Sequence, residues 1–239
     1  MERDFAVGFD FDHTLGIDNR LERTTALEML AELAAAHGVA YAGADAEVAV
    51  DATLASYRGG GQSVESAIAG FFEQFAPVGG PVVDAATSFR ERVVARAPAF
   101  IEALPGALDA LSTLDELGIA YALLTNGWSP LQEEKARLIG FRGSVYVSER
   151  VGAQKPQRAA FEVLAQHFAL PFDRIWYVGD DPRADCAGSL ALGMRAVWFD
   201  WEGRTYPADL AKPGHVIHEL HELAGLLQGH PAGAANDPE

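Results

Sequence analysis

Asp10 and Asp12 stand two residues apart in Phe9-Asp10-Phe11-Asp12-His13-Thr14, directly after the apolar run Phe5 to Phe9. Near the end of a β-strand that spacing aims both carboxylates at one place, because alternate side chains share a face. Two more polar clusters follow apolar runs in the same way, Leu124-Thr125-Asn126-Gly127 and Val178-Gly179-Asp180-Asp181. Ligands of open α/β sheets sit beyond the carboxyl ends of the strands, so the three clusters are expected to converge in one crevice. If Asp180 joins Asp10 and Asp12, three negative charges share a small volume. They raise one another's pKa unless a divalent cation lies among them. All-oxygen ligation suits a hard ion, and Mg²⁺ keeps waters while bridging one or two carboxylates to a phosphate. The amides of Gly127 and Trp128, just ahead of a helix beginning near Pro130, offer an anion-binding terminus.

The elements that must hold these residues alternate. Strands are expected at Phe5 to Phe9, Ile119 to Leu124, Ser144 to Val147, Arg174 to Val178 and Arg195 to Phe199. Between them, Gly106 to Leu117, Pro130 to Ile139 and Ala184 to Leu192 read as helices that end at Gly118, Gly140 and Gly193. Such alternation predicts a parallel sheet with helices on both faces, a Rossmann-like α/β core. From Asp18 to Ala97 the texture changes to helical stretches near Arg20–Ala36, Asp45–Tyr57, Val64–Phe75 and Val82–Ala97. The domain reading is therefore a core of residues 1–17 and 100–228, a helical insertion at 18–99, and a Gly-, Ala- and Pro-rich tail at 229–239 expected to be disordered.

The chain has 239 residues, 49% hydrophobic and 22% charged, a composition that excludes collagen-like, coiled-coil and largely disordered classes. No apolar run is long enough to span a bilayer, and the first ten residues lack the apolar core of a secretory signal. Cys186 is the single cysteine, so no internal disulfide forms and a Cys-based zinc cluster is excluded, which fits a reducing, cytoplasmic setting. A formal charge of −16 repels nucleic-acid phosphates but leaves room for a small anionic substrate at a local cation or metal. Oligomeric state is not legible.

With Lys155-Pro156 added, four motifs stand in order: Asp10-Phe11-Asp12-His13-Thr14, Thr125-Asn126-Gly127, Lys155-Pro156, and Gly179-Asp180-Asp181 with Asp185. In this the sequence resembles the haloacid dehalogenase superfamily of hydrolases, of the kind with an α-helical cap, over about three-quarters of the chain. The resemblance implies that Asp10 is a nucleophile forming an aspartyl-phosphate and that Asp12 is the general acid and then the base. Thr125, Asn126, Gly127 and Lys155 would bind the phosphoryl group. Mg²⁺ would lie on the Asp10 carboxylate, the Asp12 backbone carbonyl and Asp180, with Asp181 and Asp185 behind. The implied activity is Mg²⁺-dependent hydrolysis of a small phosphorylated metabolite. A phosphomutase, a dehalogenase or a silent phosphate-binding scaffold are the alternatives. Asp12 and Asp180 speak against a dehalogenase, and the absence of lysine between Asp10 and Lys135 speaks against a Schiff-base phosphonatase. His13 departs from the family, which often has glycine there.

An insertion directly after the nucleophile strand is placed to close over the crevice. Its break, Arg58-Gly59-Gly60-Gly61-Gln62, is expected to reach the non-phosphate part of the substrate through Arg58 and Gln62, together with Trp128. His215, His218 and His221 recur every three residues but lack an HExxH pattern and read as a solvated helix start.

Overall fold

The computed structural model describes residues 4–58 and 61–229. Among them the chain divides into two compact units, one running through Ile17 and again from Glu102, the other Asp18–Ile101.

The first unit is built on a six-stranded sheet. Its strands are β1 (Ala6–Phe9), β4 (Ala120–Thr125), β5 (Ser144–Val147), β6 (Ile175–Gly179), β7 (Arg195–Phe199) and β8 (His215–Ile217), in the spatial order β5-β4-β1-β6-β7-β8 with every pair parallel. Parallel strands covered on both faces read as continuous apolar runs, as Ala6-Val7-Gly8-Phe9 and Ile175-Trp176-Tyr177-Val178 do, all buried. The short strands β2 (Gly16–Ile17) and β3 (Glu102–Ala103) pair antiparallel, so the chain leaves for the second unit and returns from it side by side.

Helices of this unit are α5 (Ala107–Leu117), α6 (Leu131–Leu138), α7 (Ser148–Val151), α8 (Arg158–Phe168), a wide π-turn at Pro182–Ala187 continued by α9 (Gly188–Leu190), and α10 (Glu222–Gln228). The expected helix at 184–192 is thus a π-turn and a short α segment. His215 lies in an edge strand, not at a helix start, because β7 offers it a free edge in the register Val197↔His215. His218 follows that strand, and its ring nitrogen Nδ1 lies 2.7 Å from the Asp200 carbonyl.

The second unit contains α1 (Leu21–His37), α2 (Gly43–Arg58), α3 (Val64–Phe75) and α4 (Gly80–Arg96). In α3 the buried Val64, Ala67, Ile68, Phe71 and Phe72 fall at i, i+3, i+4, i+7 and i+8, one apolar face of a helix. Ser63 caps its start by accepting from the Ser66 amide at 3.1 Å. The break after Arg58 includes Gly59 and Gly60, which lie outside the described residues, as do residues 230–239 of the tail.

Candidate active site

The sheet order sets the site. From β1 the chain moves out to β4 and β5 on one side, then crosses to β6, β7 and β8 on the other, so the order reverses at β1. At such a switch point the loops beyond neighbouring strands part and leave a crevice. Phe9 is in register with Leu123 of β4 and Val178 of β6, and the Asp10 amide donates to the Val178 carbonyl at 2.9 Å. Asp10 after β1 is therefore level with Leu124 and Gly179, and Thr125 at the end of β4 and Asp180 after β6 stand one residue further along the neighbouring strands. Beyond Asp10 the Thr14, Leu15 and Gly16 amides all donate to the Phe11 carbonyl, a tight turn that places His13 at φ +59°. A positive φ is a conformation that glycine adopts at less cost than histidine. The His13 ring stacks on Trp201, centroids 6.4 Å apart.

Lys155 arrives from the loop between α7 and α8, and Asn126 fixes its backbone from both sides. The Asn126 Nδ2 donates to the Lys155 carbonyl at 3.0 Å, and the Lys155 amide donates to Asn126 Oδ1 at 2.9 Å. The ammonium, 3% exposed, then lies 2.7 Å from Asp10 Oδ1 and 2.8 Å from Asp185 Oδ1. Asp185 is brought in by the π-turn, where the Asp185 and Cys186 amides both donate to the Asp181 carbonyl. Its other oxygen accepts the Asp181 amide at 2.9 Å. Gly179 makes room for it, since a Cβ on residue 179 would stand 2.3 Å from the Asp185 carboxylate.

One carboxylate oxygen from each of Asp10, Asp180 and Asp185 lies within 4.8 Å of the others. The Lys155 ammonium, with the Arg204 guanidinium on Asp180, does not offset the burial of three carboxylates. Burial raises the pKa of Asp10 against the pull of Lys155. Burial and then the Asp10 charge push Asp180 up to about 7, against Arg204. Asp185 is raised by burial, with Lys155 opposing. Lys155 shows the complement: burial pulls its pKa down, and the Asp10 and Asp185 charges outweigh that and hold it well above the ordinary value. The cluster is therefore short of positive charge, and its donors are all carboxylate oxygens, the set that suits a hard divalent ion.

Other expected residues are placed differently. Asp12 is outside the three-carboxylate group. Its carboxylate, one-third exposed, pairs with Lys135 Nζ at 2.8 Å and accepts from Gln132 Nε2 at 3.2 Å. Thr125 is buried with its hydroxyl 3.4 Å from Gln132 Oε1. The Gly127 amide, expected to meet an anion, instead donates to Ser148 Oγ at 3.0 Å, because α7 packs its first residue against that turn. Trp128, expected to touch substrate, is only 3% exposed and belongs to the core. The Asp181 carboxylate caps the π-turn by accepting the Arg183 and Ala184 amides at 2.7 Å. Among the contacts described, Asp181 meets Asp185 through its backbone amide and carbonyl. In the helical unit Arg58 pairs with the buried Glu22 at 2.5 Å, which also accepts from the Tyr57 hydroxyl. Gln62 donates to Ser56 Oγ at 2.8 Å. Both side chains thus have partners within their own unit.

Sequence reasoning missed three residues. Gln132 and Lys135 carry a signal, since they lie on the buried face of α6 with Leu131 and Ala136. Arg204 carries none, because it sits in irregular chain after β7. Its Nη2 donates to the Asp180 carbonyl at 2.8 Å and to Oδ2 at 3.2 Å, while its amide donates to Asp200 Oδ1 at 2.9 Å. Trp198 Nε1 donates to the same Asp180 carbonyl at 2.9 Å, so two donors orient that residue.

Three clustered carboxylates, a fourth nearby on Asp12 and a buried ammonium are groups able to support transfer to and from an anionic centre. Comparison with known proteins agrees in kind. The chain is 35% identical to a phosphoserine phosphatase of Thermus thermophilus over 138 residues, 56% of this chain and 53% of the relative. It is 31% identical to a ribulose-1,5-bisphosphate 5-phosphatase of Halopiger xanaduensis over 134 residues, 52% of this chain and 56% of the relative. It thus spans about half the length of the curated relatives it matches. In fold it is similar to a phosphatase of Thermococcus onnurineus, with TM-score 0.72, 22% identity, and 96% of this chain and 99% of the other covered. It is also similar to a 2-haloacid dehalogenase of Pseudomonas syringae, with TM-score 0.70, 21% identity and the same coverage. The family model for haloacid dehalogenase-like hydrolases matches residues 6–193, from the first strand of the sheet to the glycine before its fifth, and the chain belongs to that family.

Proposed function

We propose that this protein is a phosphomonoesterase that hydrolyses a small phosphorylated metabolite through an aspartyl-phosphate on Asp10. The observation that carries the reading is the Lys155 ammonium, buried at 2.7 Å from Asp10 and 2.8 Å from Asp185 beside a third carboxylate, Asp180. Such a cluster tolerates full ionisation only with more positive charge. Asp10, Asp180 and the Asp12 backbone carbonyl would hold Mg²⁺, with Asp185 behind them. When bound, Mg²⁺ would neutralise charge on the phosphoryl oxygens and the cluster.

The chain's own residues account for the rest. An Asp10 carboxylate oxygen attacks phosphorus as the ester P–O bond breaks, and protonated Asp12 gives its proton to the departing oxygen. Water then attacks the aspartyl-phosphate, Asp12 takes a proton from that water, and the Asp10–phosphorus bond breaks to release inorganic phosphate. Lys155 offsets charge on the transferring group and Thr125 donates to it. Asn126 acts through Lys155, whose backbone it fixes. Matched relatives are named for phosphatase action on phosphoserine, ribulose bisphosphate and glyceraldehyde 3-phosphate, which supports the reaction class and leaves the metabolite open.

We read the helical unit, Asp18–Ile101, as a cap domain, because it is inserted between β2 and β3 immediately after the nucleophile segment. A cytoplasmic setting fits the single buried cysteine, and the net charge of −16 argues against nucleic-acid partners. Among the described residues no helix is long and apolar enough to cross a membrane. The test is hydrolysis of 4-nitrophenyl phosphate and a panel of phosphorylated metabolites with Mg²⁺. Activity that disappears with EDTA and with Asp10→Asn is expected, and activity that survives Asp10→Asn refutes the reading.

A further inference from the structure

Helix α6 buries two polar side chains on the face it turns inward. Gln132 and Lys135 lie one turn apart, 4% and 1% exposed, between Leu131 and Ala136. An ammonium taken out of water costs several kcal/mol unless it is paired, so core packing alone gives no reason for lysine there. Its partner is Asp12. Lys135 Nζ is 2.8 Å from Asp12 Oδ1, and Gln132 Nε2 donates to Oδ2 at 3.2 Å. Each carboxylate oxygen therefore has its own donor, and rotation of the carboxyl group breaks both contacts. The carboxyl group is one-third exposed, so it is not sealed from solvent.

The surroundings hold the clamp in turn. Lys135 Nζ stands 5.9 Å from the centroid of the Phe11 ring, next in sequence to Asp12. Gln132 reaches Asp12 because residue 127 is glycine, since a Cβ there would lie 2.6 Å from Gln132 Nε2 and 2.9 Å from its Cγ. Neither Gln132 nor Lys135 belongs to any of the four motifs.

We infer that Lys135 and Gln132 are positioning residues that hold the Asp12 carboxyl in the orientation from which it passes a proton to the leaving oxygen and later takes one from water. This rests on the role proposed above for Asp12. Proton transfer needs heavy atoms about 2.6–3.2 Å apart, and a displacement of about 1 Å costs on the order of 10²-fold in rate.

Leaving-group dependence tests it. Wild type, Lys135→Met, Lys135→Arg and Gln132→Met are assayed with phenyl phosphate, whose leaving group needs a proton, and with 4-nitrophenyl phosphate, whose leaving group does not. For Lys135→Met we expect kcat on phenyl phosphate to fall about 10²-fold with KM within about twofold. With 4-nitrophenyl phosphate the first turnover stays fast and later ones slow, giving a burst of about one nitrophenolate per site, because attack by water still needs Asp12. Lys135→Arg recovers part of the rate, and Gln132→Met shows the same pattern more weakly. Equal losses on both substrates without a burst, or an unchanged kcat, overturn the inference. Should Lys135→Met fail to fold, Gln132→Met decides, and an unchanged kcat on phenyl phosphate, or equal losses on both substrates with no nitrophenolate burst, overturn the inference. Wild type inactive on both overturns the proposed function and this inference together, whereas an active wild type beside unaffected variants overturns the inference alone.

Discussion

Replacing Asp180 by asparagine should make the metal-free protein more stable at pH 8, although it removes a residue proposed to bind metal. Burial, then the charge of Asp10, pushes Asp180 up to about 7 despite Arg204. In the unfolded chain an aspartate titrates near 3.9. The folded state thus keeps a proton that the unfolded state has released. The stabilisation is fully present below the unfolded value and is lost as pH rises through about 7. Roughly three pH units at ~1.4 kcal/mol each put the cost of the ionised group near 4 kcal/mol at pH 8, and near 1.5 at pH 5, about one unit above the unfolded value. Asp180→Asn removes that charge and keeps an acceptor for Arg204 Nη2, which stands 3.2 Å away. Urea unfolding in EDTA, followed by tryptophan fluorescence, should show a gain approaching 4 kcal/mol at pH 8 and about a third of that at pH 5. Excess Mg²⁺ should then stabilise wild type and leave the variant unmoved. A variant no more stable than wild type at pH 8, or a gain that does not depend on pH, refutes the reasoning.

Lys155→Met leaves Asp10 and Asp185 buried without their cation and should cost about 3–5 kcal/mol at pH 8, less at pH 5 as the carboxylates take up protons, measured by the same unfolding assay. Asp10 and Asp185 hold the Lys155 pKa well above its ordinary value, so it stays charged throughout and the pH dependence comes from the carboxylates. Gly179→Ala drives a Cβ to within 2.3 Å of the Asp185 carboxylate. It should lower stability by about 1–3 kcal/mol and weaken Mg²⁺ binding, read by calorimetry. Asp10→Asn should abolish phosphoenzyme formation, checked by mass spectrometry after a rapid acid quench of 4-nitrophenyl phosphate turnover.

Residues announced by local pattern were legible. Asp10, Thr125 and Asp180 each follow an apolar run, and a strand that ends in a polar residue at a sheet switch point positions that residue whatever else the chain does. The parallel core was legible for the same reason, since buried strands and capped helices leave short-range marks. Asp185 was expected only behind the metal ligands, because its burial and its bond to Lys155 depend on a π-turn that no local signal announces. Strand β8 was misread because three residues on an edge gain their conformation from the neighbour they pair with. The Gly127 amide was assigned to an anion because nothing nearby in sequence shows that Ser148, twenty-one residues on, takes it.

By itself the sequence determined which chemical groups are present, which of them stand at strand ends, and that the lone cysteine cannot build a cluster. Tertiary structure alone decided which charges meet. Lys155 lies between Asp10 and Asp185, Arg204 on Asp180, and Lys135 on Asp12, pairings made across as many as 145 residues of intervening register and packing. Electrostatic interaction depends on distance and burial in space, and neither is a property of position along the chain.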